Sequence, residues 1–491
     1  MSTTTSTDPA GTGADGAGDR ATVIAKASHP SRHVPSDRLP LDELATRVTG
    51  RLVRPEDAAY DDLTLPFNLA IPVRPLAVVE VATPEDVVEA VRFAGRHGVE
   101  IGVQATGHGA RTVDGAILVH TSRLDELTIH PEGWARVGAG VRWQRVLDEA
   151  ALHGLAALAG SAPGVGVVGY TTGGGFGPVA RTHGLASDHV RAFEVVTGDG
   201  VLRRATADEH PDLFWALRGG KGALGIVTAV EFDLLPISTI YGGAIWFDAA
   251  DTADVLEAWR TWSEGLPSSA TTSVAIKQLP DVPELPAPIA GRMTISVRFA
   301  WTGDVEAGRE VFAPMRSVAT ALIDGVDVMP YAALGAIHMD PPQGMPATEA
   351  HVLLDSLPRE AVDALVALVG PGSGSPQVVV EVRQLGGAVA AGAALASAVS
   401  HRTAPYSLFA VGVGLPGVVE QTREHAAWML EGMAPWSSGR RLVNFTQTET
   451  LEEVNAVYDP QTRTRLAQLA AYYDPHGIIS AAWHLRASRR G

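Results

Sequence analysis

From residue 83 onward the chain alternates short blocks of apolar periodicity with glycine. Thr83-Pro84-Glu85-Asp86 has the form of a helix start, with Thr83 as N-cap, Pro84 at the first helical position and acids in the first turn. Val87, Val88 and Val91 supply the apolar face of that helix, and Gly98 stops it. Residues 100–103 then read as a short apolar strand that runs into the loop Gln104-Ala105-Thr106-Gly107-His108-Gly109. Further strands are predicted over 116–120 and 135–137, and 143–153 reads as a helix ended by Gly154. The most apolar stretch, 152–170, is broken by Pro163 and several glycines, which suits a packed loop and not a membrane helix.

From about Ile240 the texture changes. Longer alternating strands, such as 293–299 and 378–383, are separated by helices such as Arg359–Val369, and this reads as a second domain. A last helix over 461–472 leads into Tyr473-Asp474-Pro475-His476-Gly477. The pattern is that of an α+β protein without a repeat of fixed period. Residues 1–38 are rich in Ser, Thr, Gly, Asp and Ala, hold no apolar run of signal-peptide type, and read as a flexible tail.

A length of 491 residues is too great for one hydrophobic core, and 46% hydrophobic against 19% charged residues is a globular balance. With 38 Lys and Arg against 55 Asp and Glu, the net charge of −17 repels a polyanion, so nucleic acid is excluded as an expected partner. The chain has no cysteine, which removes disulfides, thiolate metal sites and cysteine nucleophiles and fits a reducing compartment. The expected location is the cytoplasm, with no membrane partner. No metal motif, phosphate-loop lysine or Gly-x-Ser-x-Gly turn is found.

Glycine density peaks after residue 160, where backbone N–H groups can approach a ligand closely. Gly164-Val165-Gly166-Val167-Val168-Gly169 has the spacing of a dinucleotide fingerprint but lacks the strand before it and the helix after it that the fingerprint needs. Taken together, Ser161-Ala162-Pro163-Gly164-Val165-Gly166, Thr172-Gly173-Gly174-Gly175-Phe176-Gly177, His183-Gly184-Leu185-Ala186-Ser187-Asp188 and Asp212-Leu213-Phe214-Trp215-Ala216-Leu217-Arg218-Gly219-Gly220 follow in order. They resemble the FAD domain of berberine-bridge-enzyme-like oxidases, in the vanillyl-alcohol oxidase and p-cresol methylhydroxylase superfamily. The resemblance runs from about Tyr60 to the end of the chain.

The resemblance implies a two-part FAD-binding domain of the p-cresol methylhydroxylase type over 39–240, a sheet-and-helix substrate domain over 241–440, and a segment 441–491 that completes the FAD domain. It implies FAD bonded covalently to His108. Gln104, Ala105 and Thr106 replace the first three residues of the family's Arg-Gly-Gly-Gly-His pattern. Many members carry a second tether through cysteine where this chain has Ala162, so the histidyl link is the single one expected. Thr106, Gly107, Gly109 and Ala110 in one loop, and Gly164, Val165, Gly166, Gly169, Tyr170, Gly173, Gly174, Gly175 and Gly177 in the other, are implied to hold the pyrophosphate and ribityl chain. Gln104 and Asp188 are counted with the cofactor site, Gly225, Ile226 and Val227 are placed by the adenine, and Asn444 is placed against the flavin. Backbone N–H groups are expected to hold the pyrophosphate, because an acidic protein has few lysines to spare.

Val165 falls where the family gates oxygen, and its small size goes with oxidases. The family's C-terminal tyrosine motif is here Leu442-Val443-Asn444-Phe445, so no catalytic role carries over from it. Alternation along 378–384 sets Glu381 and Arg383 on one side and Val380, Val382 and Gln384 on the other. Glu381 and Arg383 read first as an ion pair and second as a source of a general base. Tyr170, Gln384, Tyr406 and His401 are the other catalytic candidates. The expected activity is that of an FAD-dependent oxidase: hydride passes from a small organic substrate to flavin N5, and molecular oxygen is the final acceptor, giving hydrogen peroxide. The alternatives are a flavin dehydrogenase, a redox-neutral cyclase of secondary metabolism, and a flavin-binding protein without turnover.

Overall fold

The structure, a computed structural model, describes residues 39–482 and Leu485, so the predicted tail over 1–38 lies outside the described residues. The helix read from Thr83 forms as Pro84–His97, with a reciprocal Thr83–Asp86 capping box and Gly98 in the left-handed region at φ 65°. Asp86 does more than cap this helix. Its carboxylate also accepts from the backbone N–H groups of Thr49, Gly50 and Ala82, fastening the preceding chain to the helix start.

This helix links strands of a four-stranded sheet ordered Arg51–Val53, Ala77–Glu80, Ile117–His120, Ile101–Gln104. The last three are mutually parallel, and parallel pairing needs such a crossover. Gln104 is therefore the C-terminal end of an edge strand, and the loop that follows it leaves from the sheet's rim. A second sheet is antiparallel and five-stranded: Leu202–Ala205, Val190–Thr197, Gly225–Asp233, Trp134–Gly138, Leu127–His130. Both sheets share one hydrophobic core, which takes in Phe93, Ile117, Val137, Phe193 and Val230 together with Leu466, Tyr473, Ile478 and Leu485 from the far end of the chain. Ile479 bridges to Ile101, so the chain end lies at the edge of the first sheet.

The largest sheet has eight antiparallel strands. Its main path runs Ala321–Asp324, Thr239–Asp248, Met293–Trp301, Ala270–Gln278, Gln377–Gln384, Tyr406–Val413, Ala347–Leu354, with Asp327–Pro330 also paired to Thr239–Asp248. The two faces differ in chemistry. One carries Val274, Val297, Phe299, Val382 and Leu408, and it packs with Trp259, Phe312, Leu365 and Met429 of four covering helices into a second core. The other carries Ser273, Lys277, Ser296, Arg298, Glu381, Arg383, His351 and Ser407, all buried and polar. Such a face must meet hydrogen-bonding partners, because a buried polar group without one is costly.

The predicted elements appear with shifts of one or two residues at their ends. The helix read over 143–153 ends at Ala151, and Gly154 turns the chain at φ 68°. The stretch 152–170 is mostly loop, as read, and ends in a short helix, Val167–Thr171. Among the described residues no helix is long and apolar enough to cross a membrane.

Candidate functional site

The loop after Ile101–Gln104 is shaped by close approaches. Gly107 has φ +71°, and a Cβ there would stand 2.6 Å from Pro66 Cα, so only glycine lets the Pro66-Phe67 segment lie against the loop. That segment sets the Phe67 ring on the imidazole of His108. Thr106 Oγ1 lies 3.0 Å from His108 Nδ1. Burial, aided by Arg142, lowers the basicity of His108 to about 4, so its ring is neutral at pH 7. Gln104 has its amide turned inward, donating to the carbonyls of Leu63 and Leu65, so it secures the base of the loop and is spent there.

The second loop is pinned by Trp143 N–H to Val165 O at 3.0 Å and Val167 N–H to Val141 O at 3.0 Å. Its glycines divide into two groups. Gly173, Gly175 and Gly177 are pressed by protein atoms: Asn444 Oδ1, the Tyr170 ring and Ala159 O respectively. A Cβ at Gly164 or Gly169 would meet nothing within 4 Å, so the backbone is approachable at these two. Gly166 lies against Ala105 and Thr106, which brings the two loops together, and Ala110 closes the first with its N–H on Gly107 O. Tyr170 is wedged among glycines with a buried hydroxyl that has no partner, and burial raises its pKa. Its carbonyl accepts from Asn444 Nδ2 at 2.9 Å, tying the glycine loop to the C-terminal segment. Gly174 has φ +101° and borders a pocket also lined by His401, Val399 and Asn444.

Gly225, Ile226 and Val227 begin the central strand of the five-stranded sheet, paired with Val190–Thr197. Asp188 is spoken for: its carboxylate takes both guanidinium ends of Arg402, at 2.9 and 2.6 Å, and the N–H of Leu185 at 2.9 Å. In this arrangement it braces the loop and has little left to offer a cofactor.

The polar face of the large sheet meets these loops. The Arg383 guanidinium lies over Phe176 at 5.5 Å and over Phe445 at 5.6 Å. Glu381 accepts from Arg298 at 2.7 Å and from Arg383 at 2.9 Å, with His338 Nε2 at 3.5 Å. Burial pushes its carboxyl up, but Arg383 and then Arg298 outweigh burial and hold it well below the ordinary range. A carboxylate held so firmly is a poor proton acceptor, which favours the ion-pair reading of Glu381 and Arg383. Gln384 and Tyr406 lie on the opposite, helix-covered face. Gln384 donates to Ser263 O, and Tyr406 packs with Trp259 in the second core, so neither reaches the loops. Both are corrected as catalytic candidates, because alternation turned them away.

Residues not singled out from the sequence complete the face. Lys277 Nζ donates to His338 O at 3.0 Å and lies over Trp246 at 4.9 Å, and burial with Arg298 lowers its amine to about 7. Arg298 Nε and His338 Nδ1 are buried without partners. Ser161, from the glycine loop, donates to Asp340 at 2.7 Å. The available signal was polar alternation at Ser273 and Lys277, Ser296 and Arg298, and Glu381 and Arg383, which marks one polar face shared by three strands. A neutral imidazole, a second loop with free space beside Gly164 and Gly169, and a buried Tyr170 hydroxyl without a partner among the described residues fit a large planar cofactor with a phosphate tail.

Residues 75–206 match the family model described as an FAD binding domain. The chain is 27% identical over 456 residues to (R)-6-hydroxynicotine oxidase of Paenarthrobacter nicotinovorans, covering 87% of this chain and 94% of that enzyme. It is similar in structure to 6-hydroxy-D-nicotine oxidase from Arthrobacter nicotinovorans, with a TM-score of 0.78 at 24% identity, covering 88% of this chain and 97% of the other. It is also similar to berberine bridge enzyme from Eschscholzia californica, with a TM-score of 0.75 at 18% identity, covering 90% and 97%.

Proposed function

We propose that this chain, which has the fold of the berberine-bridge-enzyme-like oxidases, is an FAD-linked oxidoreductase whose own residues run an oxidase reaction on a small organic substrate. The observation that carries the reading is the polar face of the eight-stranded sheet meeting the His108 loop and the 164–177 loop. The residues of the two loops would hold FAD, which when bound would supply a two-electron acceptor that molecular oxygen can reoxidise to give hydrogen peroxide.

His108 is the single covalent anchor in this reading, supported by a neutral ring held by Phe67 and Thr106. The loops 106–110 and 164–177 hold the cofactor's tail, and Val165, half-buried beside the first core, limits oxygen's approach. Residues 39–240 with 441–482 form the FAD-binding domain and 241–440 the substrate domain, a division supported by a second core drawn from 241–433 alone, while Tyr331, Leu334 and Ile337 of the substrate domain pack into the first. On the substrate side, Arg383 and Arg298 orient polar groups. Lys277, with an amine near 7, takes the proton of the substrate's hydroxyl or amine as the adjacent C–H bond gives up its hydride. The substrate class is a small organic molecule, in keeping with a whole-length relative named for oxidation of hydroxynicotine.

The test needs no known substrate. Protein reduced by light and mixed with aerated buffer should reoxidise fast, with one peroxide formed per flavin. Slow reoxidation without peroxide would move the enzyme to the dehydrogenase reading. An anaerobic screen for flavin bleaching across alcohols, phenols, amines and aldoses then identifies the substrate.

A further inference from the structure

Lys221 sits in the run Gly219-Gly220-Lys221-Gly222 at φ +54°, the left-handed region where a residue with a Cβ is strained. Glycine fills every neighbouring position, so the turn itself gives no reason for a lysine. The N–H groups of Gly219 and Lys221 both donate to Thr172 O, at 2.9 and 3.1 Å, which fastens this turn to the start of the Gly173 loop.

The side chain reaches elsewhere. Its Nζ donates to Val443 O at 3.4 Å, and a Cβ built on Gly109 would stand 3.4 Å from Nζ. The ammonium is thus placed between the loop carrying His108 and Gly109 and the Val443-Asn444 segment, while the backbone of its turn is fastened to the loop beginning at Thr172. Among the described residues Lys221 forms no ion pair. Its charged surroundings are Arg111, of like sign, and Glu349, whose own carboxyl burial pushes up. Arg111 is occupied by the carbonyls of Ala481 and Thr448. Burial and then Arg111 lower the Lys221 amine to about 8. A cation kept in a strained position, partly desolvated and beside a second cation, is an arrangement that a bound anion completes.

We propose that Lys221 is the counter-cation of the FAD pyrophosphate, its backbone tied to one of the two loops that cradle the cofactor and its ammonium reaching toward the other. The assignment rests on the FAD-site reading above and revises the expectation that backbone N–H groups hold the pyrophosphate unaided. The plain alternative is that Lys221 serves Glu349.

Strain separates the two. In a His108→Ala background, from which FAD can be exchanged, Lys221→Gly should raise the melting temperature of the cofactor-free protein, because glycine accepts the backbone conformation. The same change should weaken FAD and ADP alike by about tenfold or more and flatten the salt dependence of both, while Lys221→Arg keeps most of the affinity. FAD weakened with ADP unchanged would place the ammonium at the isoalloxazine end and overturn the proposal, as would unchanged affinity for both. A fall in melting temperature restored by adding Glu349→Gln would establish the Glu349 partnership instead. If the His108→Ala protein with Lys221 intact binds neither FAD nor ADP, the FAD-site reading fails first, and it is distinguished by that control.

Discussion

The rings of Phe67 and His108 lie nearly parallel, 13° apart in plane, with centroids separated by 3.7 Å. With Thr106 on Nδ1, this stack fixes the imidazole plane, and a basicity near 4 keeps a lone pair available at neutral pH. Bond formation to a flavin carbon needs a neutral, oriented ring. Acid-precipitated wild type should therefore stay yellow, His108→Ala should release its FAD, and Phe67→Ala should bind FAD with a lower covalent fraction. A colourless wild-type pellet would end the covalent reading and leave the FAD domain intact.

Glu381 lies between two buried guanidiniums, so its removal leaves both without their carboxylate. Glu381→Gln should cost about 3–5 kcal/mol in urea unfolding, the range for breaking one partner of a buried ion pair. The sign with pH follows from the depressed carboxyl: stability is present above the ordinary carboxylate range and is lost as pH falls through the folded value. A loss below about 1 kcal/mol, with turnover abolished, would restore Glu381 as the general base.

Local structure was legible because local chemistry decides it. Thr83, Pro84, Asp86 and Gly98 each state a helix boundary, and the ordered glycine motifs fall inside the residues that match the FAD binding domain or just beyond them. The site's second wall was legible only in part. Alternation separates Glu381 and Arg383 from Gln384, but it does not say which face meets the loops, so Gln384 and Tyr406 stayed candidates until the helices were seen on their side. Asp188 and Gln104 were read from motif position, while the partners that occupy them, Arg402 and the carbonyls of Leu63 and Leu65, lie 214, 41 and 39 residues away. Lys221 was invisible for a related reason. A lysine within a glycine run means little until its φ and its lack of a carboxylate are known.

Lys277 gives a pH signature that needs no substrate. Its amine falls from the ordinary 10.5 to about 7 in the fold, because of burial first and Arg298 second. Between those values the unfolded chain holds a proton that the folded chain does not, so stability rises with pH across that window. Wild type should gain stability relative to Lys277→Met from about pH 7 to pH 10, with the two curves parallel below pH 6. Denaturant midpoints taken at each pH check this, and parallel curves throughout would show that the amine titrates normally.

Asn444 and Gly173 test whether the C-terminal segment shapes the glycine loop. Asn444 Nδ2 holds Tyr170 O at 2.9 Å, while its Oδ1 occupies the place where a Cβ on Gly173 would stand. Gly173→Ala should destabilise by about 1–3 kcal/mol, because the methyl group and the amide compete for one space. Asn444→Ala should cost about 1 kcal/mol for the lost hydrogen bond. In the double variant the shortened residue 444 makes room for the methyl group, so the combined loss should fall short of the sum by about 1 kcal/mol or more. Strict additivity would mean that the loop relaxes away from Asn444 by itself, and the segment around Val443 would then be a passive cover, with no part in setting the glycine loop.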